Sequence, residues 1–490
     1  MAFIHASQFL DHDDFGSSRS KIINVIDSNK LEHDVVRKPL RTFRHHALCA
    51  AAATFVFTAA AFAQSVNTTI PIGAVVDQTG GSTSPHYRAA IELAGRQMNE
   101  ALAKAGSKVR FEIAFGDSKS NPPFAQQEAL RLINESGVRA LVGDSSGVSV
   151  ALNRLNYDPA SQAKGKVAIT CFQCSSSFIN DPDVQQSDPQ IQAAERDNDG
   201  WLFRVFYVAK FEAGALAQIA VKRANKGDRP LKIGLFADAG HRALATDLAK
   251  ALPHFHKGPL SVDIVYLSAR DKIAEEWAKV VDDKNEAGQT DGVPDVVIVA
   301  MLPDPSFAAV KAYRESNYPV PLLVNNSFRR DYQLKKLGAL VNGVEGSSVT
   351  QADKGASGQA FMEAFKAAHG ETPEMTSSGA YDSAVTLMLA ALTAARDGKE
   401  VTADGIRTGL GKINDPKGQV IRPTVADFAV AAKLAANGEP INYEGGFHAI
   451  DWNARGDMFP PLVHWTIENG RFVEYELYAC SWDQPNCAGL

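Results

Sequence analysis

The chain has 490 residues, 45% hydrophobic and 22% charged, with 50 Lys+Arg against 56 Asp+Glu and a formal net charge of −6. That composition is globular and long enough for more than one core, which excludes a disordered tail. The slight acidic excess argues against a nucleic-acid partner, which would call for a basic face.

At the N-terminus, Arg41 and Arg44 precede the uncharged run HALCAAAATFVFTAAAFA, which closes on Ala61-Phe62-Ala63. This is the basic, apolar and small-x-small order of a secretory signal, so residues 1–63 are expected to be an extension plus leader cleaved after Ala63. The run approaches the length of a spanning helix, but it is Ala-rich and weakly hydrophobic, which favours cleavage over anchoring. The partly acidic stretch before it is unusual for a leader and points to a start site further downstream. Cys49, inside the apolar run, is poorly placed for lipidation.

From residue 69 onward, apolar strand-like runs alternate with amphipathic stretches: TIPIGAVVD, VRFEIAFGD, VRALVGD and KVAIT come first. Between them, Ile91, Ala94, Met98 and Leu102 fall three or four apart, as do Ala125, Ala129 and Ile133, giving each helix one apolar face. LKIGLFAD (231–238), LSVDIVYLS (260–268), DVVIVAML (295–302) and VPLLVNN (320–326) form a second series. Runs apolar at consecutive positions fit parallel strands covered on both faces, so the fold class is α/β with two lobes. The proline-bearing polar stretches 180–200 and 282–295 are expected to be solvated loops. His254 and His256, near a helix end, are expected on the surface.

Ligands of open parallel α/β sheets bind beyond the carboxyl ends of the strands. Three loops there are rich in small hydroxyl and glycine residues: Asp77–Ser82 (DQTGGS), Gly143–Gly147 (GDSSG) and Cys171–Ser177 (CFQCSSS). Each is expected to lead toward a helix, whose free N–H groups favour an anion such as a carboxylate. Serines before helices are also ordinary caps, so it is the convergence of three such loops that points to a site. GDSSG matches G-x-S-x-G, which makes Ser145 a candidate hydrolase nucleophile, although no H-G-G-G-like oxyanion loop precedes it. Cys171 and Cys174 have C-x-x-C spacing, open to a redox centre, a disulfide or a pocket wall; no second Cys/His pair at metal spacing accompanies them, and no metal or cofactor is expected. In an oxidising compartment the close spacing of Cys480 and Cys487 points to a C-terminal disulfide worth about 2–3 kcal/mol.

These residues also resemble a known family. IPIGAVVDQTGG, FGDSKSNPPFAQQEALRLI, VRALVGDSSGVSVAL, VAITCFQCSSS, WLFRVFYVAKFEAGALAQIA, VEGSSVT, AYDSAVTLMLAAL and FHAIDWNARGDMFPP are similar, in order and spacing, to type I periplasmic solute-binding proteins of ABC transporters, of the leucine/isoleucine/valine-binding and amide/urea-binding kind. The resemblance implies two parallel-sheet lobes, residues 64–204 with 350–448 and residues 205–349 with 449–490. It also implies hinge crossings near Arg204–Tyr207, Glu345–Thr350 and Phe447–Asp457. It implies a non-catalytic, monomeric periplasmic protein that carries an amino acid, amide or carboxylate to an inner-membrane permease, a sensor component being the alternative. Asp77 and Thr79 of the first loop are candidate ligand contacts; those the resemblance implies on the first lobe are Ser145, Ser146, Cys174, Ser175 and Ser176. On the second they are His241, Arg242, Met301, Asn326 and Ser327. The chain departs from the amino-acid binders of the family at Asn326 and Ser327, where those carry an acidic residue for the ligand's ammonium.

Overall fold

The computed structural model describes residues 68–81, 83–282, 292–350, 355–374 and 376–478. Ala63, Ser82, Cys480 and Cys487 lie outside these, as does most of the 282–295 stretch.

The first sheet is built from β1 (Thr68–Val76), β2 (Val109–Asp117), β3 (Ala140–Ser145), β4 (Ala168–Gln173) and β5 (Leu202–Arg204), in the order β2-β1-β3-β4-β5. All its pairings are parallel. The connecting helices are α1 (Pro85–Lys104), α2 (Pro122–Glu135), α3 (Ser146–Tyr157) and α4 (Pro189–Arg196). The helix α1 starts where Ser84 accepts the His86 N–H and Pro85 fills the first turn, and α2 repeats the device with Asn121 and Pro122. The apolar stripe read from the sequence is the buried one: Ile91, Ala94, Met98 and Leu102 are all at 0% exposure. The stretch 180–200 is not all loop, because Asp188 caps α4 through the N–H groups of Gln190 and Ile191. That helix buries only Ala194 and Glu195, too little for a periodic apolar signal.

The chain then enters the second lobe through α5 (Ala209–Ala224). It continues with β6 (Leu231–Ala237), α6 (Arg242–Phe255), β7 (Leu260–Tyr266), α7 (Ile273–Val280), β8 (Val296–Ala300), α8 (Pro303–Ser316), β9 (Leu322–Val324), α9 (Asp331–Leu337) and β10 (Glu345–Val349). It returns to the first lobe as α10 (Ala356–His369), α11 (Ser377–Ala394), α12 (Ala403–Leu410), β11 (Gln419–Ile421), α13 (Val425–Asn437) and β12 (Ile441–Tyr443). There α11 joins α1 and one face of the first sheet in a single apolar cluster, while α2 and α3 cover the other face. The chain finishes in the second lobe as the hairpin β13 (Leu462–Glu468) and β14 (Arg471–Tyr478).

The second sheet has the order β14-β13-β10-β9-β8-β6-β7. Its pairings from β7 to β10 are parallel, and the closing pairs β10–β13 and β13–β14 are antiparallel. His256 is 4% exposed, so it belongs to the interior, not the surface expected from its place at the end of α6.

Three chain crossings join the lobes: residues 204–208, the segment after Val349, and the segment that precedes Leu462. They are tied together by a bridge between Tyr207 and Met458 and by the Thr350 N–H donating to the Pro461 carbonyl at 3.4 Å. Phe206, Tyr207, Val208, Val349, Phe447 and Leu462 pack as a small apolar cluster of their own at this junction. Among the described residues no helix is long and apolar enough to cross a membrane.

Candidate functional site

Strand order locates the site. In the first sheet β1 lies between β2 and β3, so the loops after β1 and β3 diverge to opposite faces and leave a crevice at their carboxyl ends. The second sheet repeats this with β6 between β7 and β8. Loops from both switch points line one interlobe cleft of about 250 Å³. Its wall includes Ser145, Ser146, Ser175 and Ser176 from the first lobe and His241, Asn326 and Ser327 from the second, residues spread over nearly 200 positions of sequence.

The serine wall is held from behind. Asp144, 3% exposed, accepts the Asp77 N–H at 2.7 Å, the Ser118 hydroxyl at 2.8 Å and the Ser145 N–H, so one carboxylate ties the loops after β1, β2 and β3. Burial pushes its pKa up and these hydrogen bonds oppose the shift. The Ser146 hydroxyl accepts the Ser176 N–H at 3.1 Å, which fixes the β3 and β4 loops to each other. Cys171 and Cys174 are disulfide-bonded and both fully buried, a brace at the end of β4. Behind that brace lies Arg204, fully buried. Its Nη1 donates to the carbonyls of Cys174 (3.2 Å) and Ser176 (2.9 Å), Nη2 donates to Ile179, and Nε forms an ion pair with Asp457 at 2.7 Å.

The Ser145 side chain occupies the N-cap position of α3 yet makes no capping bond. Its hydroxyl is drawn to the Asp144 carboxylate instead, and Ser145 and Ser175 both face the cleft beside the free N–H groups of the first turn of α3. The third loop does not enter a helix directly: turns continue after Ser176 until α4 begins at Pro189.

Five of the residues proposed from sequence lie off this wall. The Asp77 carboxylate accepts the Gly80 N–H at 2.5 Å and the Ser120 hydroxyl, which folds the loop back on itself. A side chain at Gly80 would meet the Lys119 backbone, so the turn needs glycine there. Thr79 is exposed and donates to Asp117 at 2.5 Å. Cys174 is buried in its disulfide, and Met301 is a fully buried member of the second lobe's core. Arg242 is exposed, with its guanidinium over the Tyr266 ring at 5.1 Å.

Other wall residues come from positions that sequence reasoning passed over. Tyr87, Gln173, Phe206, Tyr207, Glu212 and Arg330 all line the cleft. Glu212 is 1% exposed; its carboxylate accepts the Tyr207 hydroxyl at 2.7 Å and the Asn326 N–H at 2.5 Å. Desolvation raises its pKa to about 7, opposed by those two bonds and by nearby His241. His241 takes Asp238 on Nδ1 at 2.8 Å and Ser327 on Nε2 at 3.3 Å. The Asp238 carboxyl is held below its usual range, against its own burial, by His241 and the Leu302 N–H. No histidine is hydrogen-bonded to Ser145 among the described residues, so the G-x-S-x-G match lacks the histidine of a hydrolase triad. Among the same residues no group of three His, Cys, Asp or Glu side chains could hold a metal ion.

The periplasmic binding protein family model matches residues 69–429. The chain belongs to that family. A periplasmic binding protein is a ligand carrier, not a catalyst, and its relatives work with ABC transporters. The fold is similar to that of a leucine-binding protein from Thermotoga maritima, with a TM-score of 0.59 and 16% identity over 84% of this chain and 98% of that one. It is equally similar to an R. palustris ABC-transporter solute-binding protein in complex with 4-hydroxybenzoate, with a TM-score of 0.59 and 15% identity over 85% and 100%. A branched-chain amino acid transporter substrate-binding protein from Streptococcus pneumoniae, in complex with isoleucine, gives 0.57 and 17% over 83% and 100%. At such identities the likeness is one of fold. A 38-residue stretch is 58% identical to a protein-glutamate methylesterase/protein-glutamine glutaminase from Nitrobacter winogradskyi, 8% of this chain and 9% of that protein, too short to bear on function.

Proposed function

We propose that this periplasmic binding protein captures a small carboxylate-bearing solute in the interlobe cleft and delivers it, as an exported monomer, to an ABC-transporter permease in the inner membrane. The observation that carries the ligand class is the uncapped N-terminus of α3, which opens on the cleft with Ser145 and Ser175 beside it. An anion there gains the helix dipole, the first-turn N–H groups and the Ser175 hydroxyl together. Charge-assisted hydrogen bonds are worth about 1.5–3 kcal/mol each, so three or four give micromolar binding once ordering costs are met. Tyr87, Phe206, Tyr207, Leu244 and Leu302 supply an apolar middle to the cleft. Its volume of about 250 Å³ suits a ligand the size of an amino acid or a benzoate, the two kinds bound by the similar structures.

A second reading, an α-amino acid, is favoured by Glu374, which lines the first-lobe side and could face an ammonium. Glu212 is less suited to that task, because its oxygens are already engaged and its burial disfavours the charged form.

A thermal-shift panel of benzoates, branched-chain amino acids, amides and dicarboxylates separates these. At 100 times Kd a ligand stabilises by about 2.7 kcal/mol, a shift of about 3 °C for a chain of this size. Carboxylates are expected to shift the transition while their amides and esters do not. Shifts with neutral compounds alone would overturn the carboxylate assignment.

A further inference from the structure

We infer that Arg330 is the latch of the closed state: a positioning residue on the second lobe that fastens itself to Tyr87 and Thr376 of the first. Its Nη1 donates to the Tyr87 hydroxyl at 3.2 Å and to the Thr376 hydroxyl at 3.1 Å. Those two oxygens lie 3.1 Å apart and are both served by Gln173 Nε2, at 2.6 and 3.2 Å. Four side chains from four elements therefore meet at one point on the cleft. Three of them, on α1, β4 and the residue before α11, are fixed in the first lobe: Tyr87 is 2% exposed and Thr376 is 1% exposed. Only Arg330 arrives from the other side.

The neighbouring arginine shows how the reach is directed. Arg329, 4% exposed, is spent within its own lobe, donating to Ser348 Oγ at 2.7 Å, to the Val349 carbonyl at 3.3 Å and to Glu474 at 2.7 Å. It pins the turn that follows Asn326–Phe328 to the second sheet. From that fixed base Arg330 extends toward the first lobe. Its contacts with Tyr87 and Thr376 can exist only while the lobes are together, because donor and acceptors ride on different bodies. The Tyr87 and Thr376 hydroxyls are neutral, so opening these two bonds costs less than parting a buried ion pair. Gln173, Tyr87 and Arg330 line the same cleft as Ser145 and His241, so the latch closes over whatever the cleft holds. The closure consequence rests on the cleft being the ligand site; the latch itself does not.

The test therefore needs no ligand. Small-angle scattering of the ligand-free protein gives the radius of gyration for the wild type, Arg330→Met, Arg330→Lys, Thr376→Val and the Met/Val double variant. Thr376 does not line the cleft and its hydroxyl makes no capping bond to α11, so Thr376→Val removes one latch acceptor without replacing a wall residue or the cap, although Tyr87 and Gln173 each lose their bond to it. Losing a hydrogen bond to a charged group moves the open-to-closed ratio about tenfold to a hundredfold. Arg330→Met and Thr376→Val are each expected to raise the radius of gyration, the double variant no further than Arg330→Met, which already removes both latch bonds, and Arg330→Lys to stay nearer the wild type. Unchanged scattering in both single variants, or additive effects in the double variant, would overturn the latch. If Arg330→Met fails to fold, Thr376→Val alone decides.

Discussion

Arg204→Met is the substitution that bears most heavily on the serine wall. The guanidinium is fully buried, with three loop carbonyls on its Nη atoms and Asp457 on Nε, and Asp457 is itself only 9% exposed. Methionine fills much of the volume and supplies none of the donors. The Cys174 and Ile179 carbonyls lose their partner, the Ser176 carbonyl is left with the Ile179 N–H at 3.2 Å, and Asp457 is left with the Asn180 amide at 2.9 Å. Breaking a buried ion pair from one side costs about 3–5 kcal/mol, and each orphaned carbonyl adds up to about 1–3 kcal/mol where water cannot reach it. A loss of at least ~4 kcal/mol is expected, out of a typical total of about 5–15 kcal/mol. Guanidinium unfolding followed by far-UV circular dichroism reads it. Asp457→Asn provides the control, because it keeps the carbonyl bonds and strands the cation. The double variant is expected to fall short of the sum by about 0.5–3 kcal/mol, as partners in one network do. A loss below about 1 kcal/mol for Arg204→Met would refute the claim that this side chain organises the loop.

Glu212 and Asp382 give a pH signature. Burial raises both carboxyls to about 7, from ordinary values of 4.5 and 3.8. The folded state holds a proton that the unfolded state releases, so stability is fully present below the ordinary values and falls as pH rises toward 7. The loss is about 3 kcal/mol for Glu212 and about 4 kcal/mol for Asp382. Glu212→Gln, which can keep both hydrogen bonds, is expected to remove its own share of the decline between pH 4.5 and 7.5 in urea melts; an unaltered slope would contradict the burial argument. Ser145→Ala and Ser175→Ala are expected to weaken binding of any acid found by thermal shift about tenfold to a hundredfold, measured by calorimetry, with little change in melting temperature. Replacing Cys171 and Cys174 together with alanine removes a short covalent loop worth about 2 kcal/mol and loosens the serine wall. Both the melting temperature and the affinity are expected to fall.

The parallel strands were legible because strands covered on both faces read as unbroken apolar runs, and all eight named runs from TIPIGAVVD to VPLLVNN became strands. The hairpin β13–β14 was also written in the sequence, in Val463, Trp465 and Ile467 before the Asn469-Gly470 turn, where both residues have positive φ. Ser145 and Ser175 could be found because the end-of-strand rule works within one lobe, and His241 because the family resemblance aligns it with a ligand position. Glu212, Gln173, Tyr87 and Arg330 could not. Each sits on a helix, a strand end or a turn within its own lobe, and becomes cleft wall only when the two sheets face each other. Asp77 misled for the converse reason: a carboxylate after the first strand has the position of a ligand group, but here it is consumed by Gly80 and Ser120.

A crystal structure of the protein soaked with the acid that gives the largest thermal shift tests the ligand assignment most directly. The carboxylate is predicted within about 3 Å of Ser145 Oγ and the first-turn N–H groups of α3, with the body of the ligand against Phe206 and Tyr207. An acid bound outside the cleft, or seated with its carboxylate on the His241 side and no contact to Ser145, would contradict it.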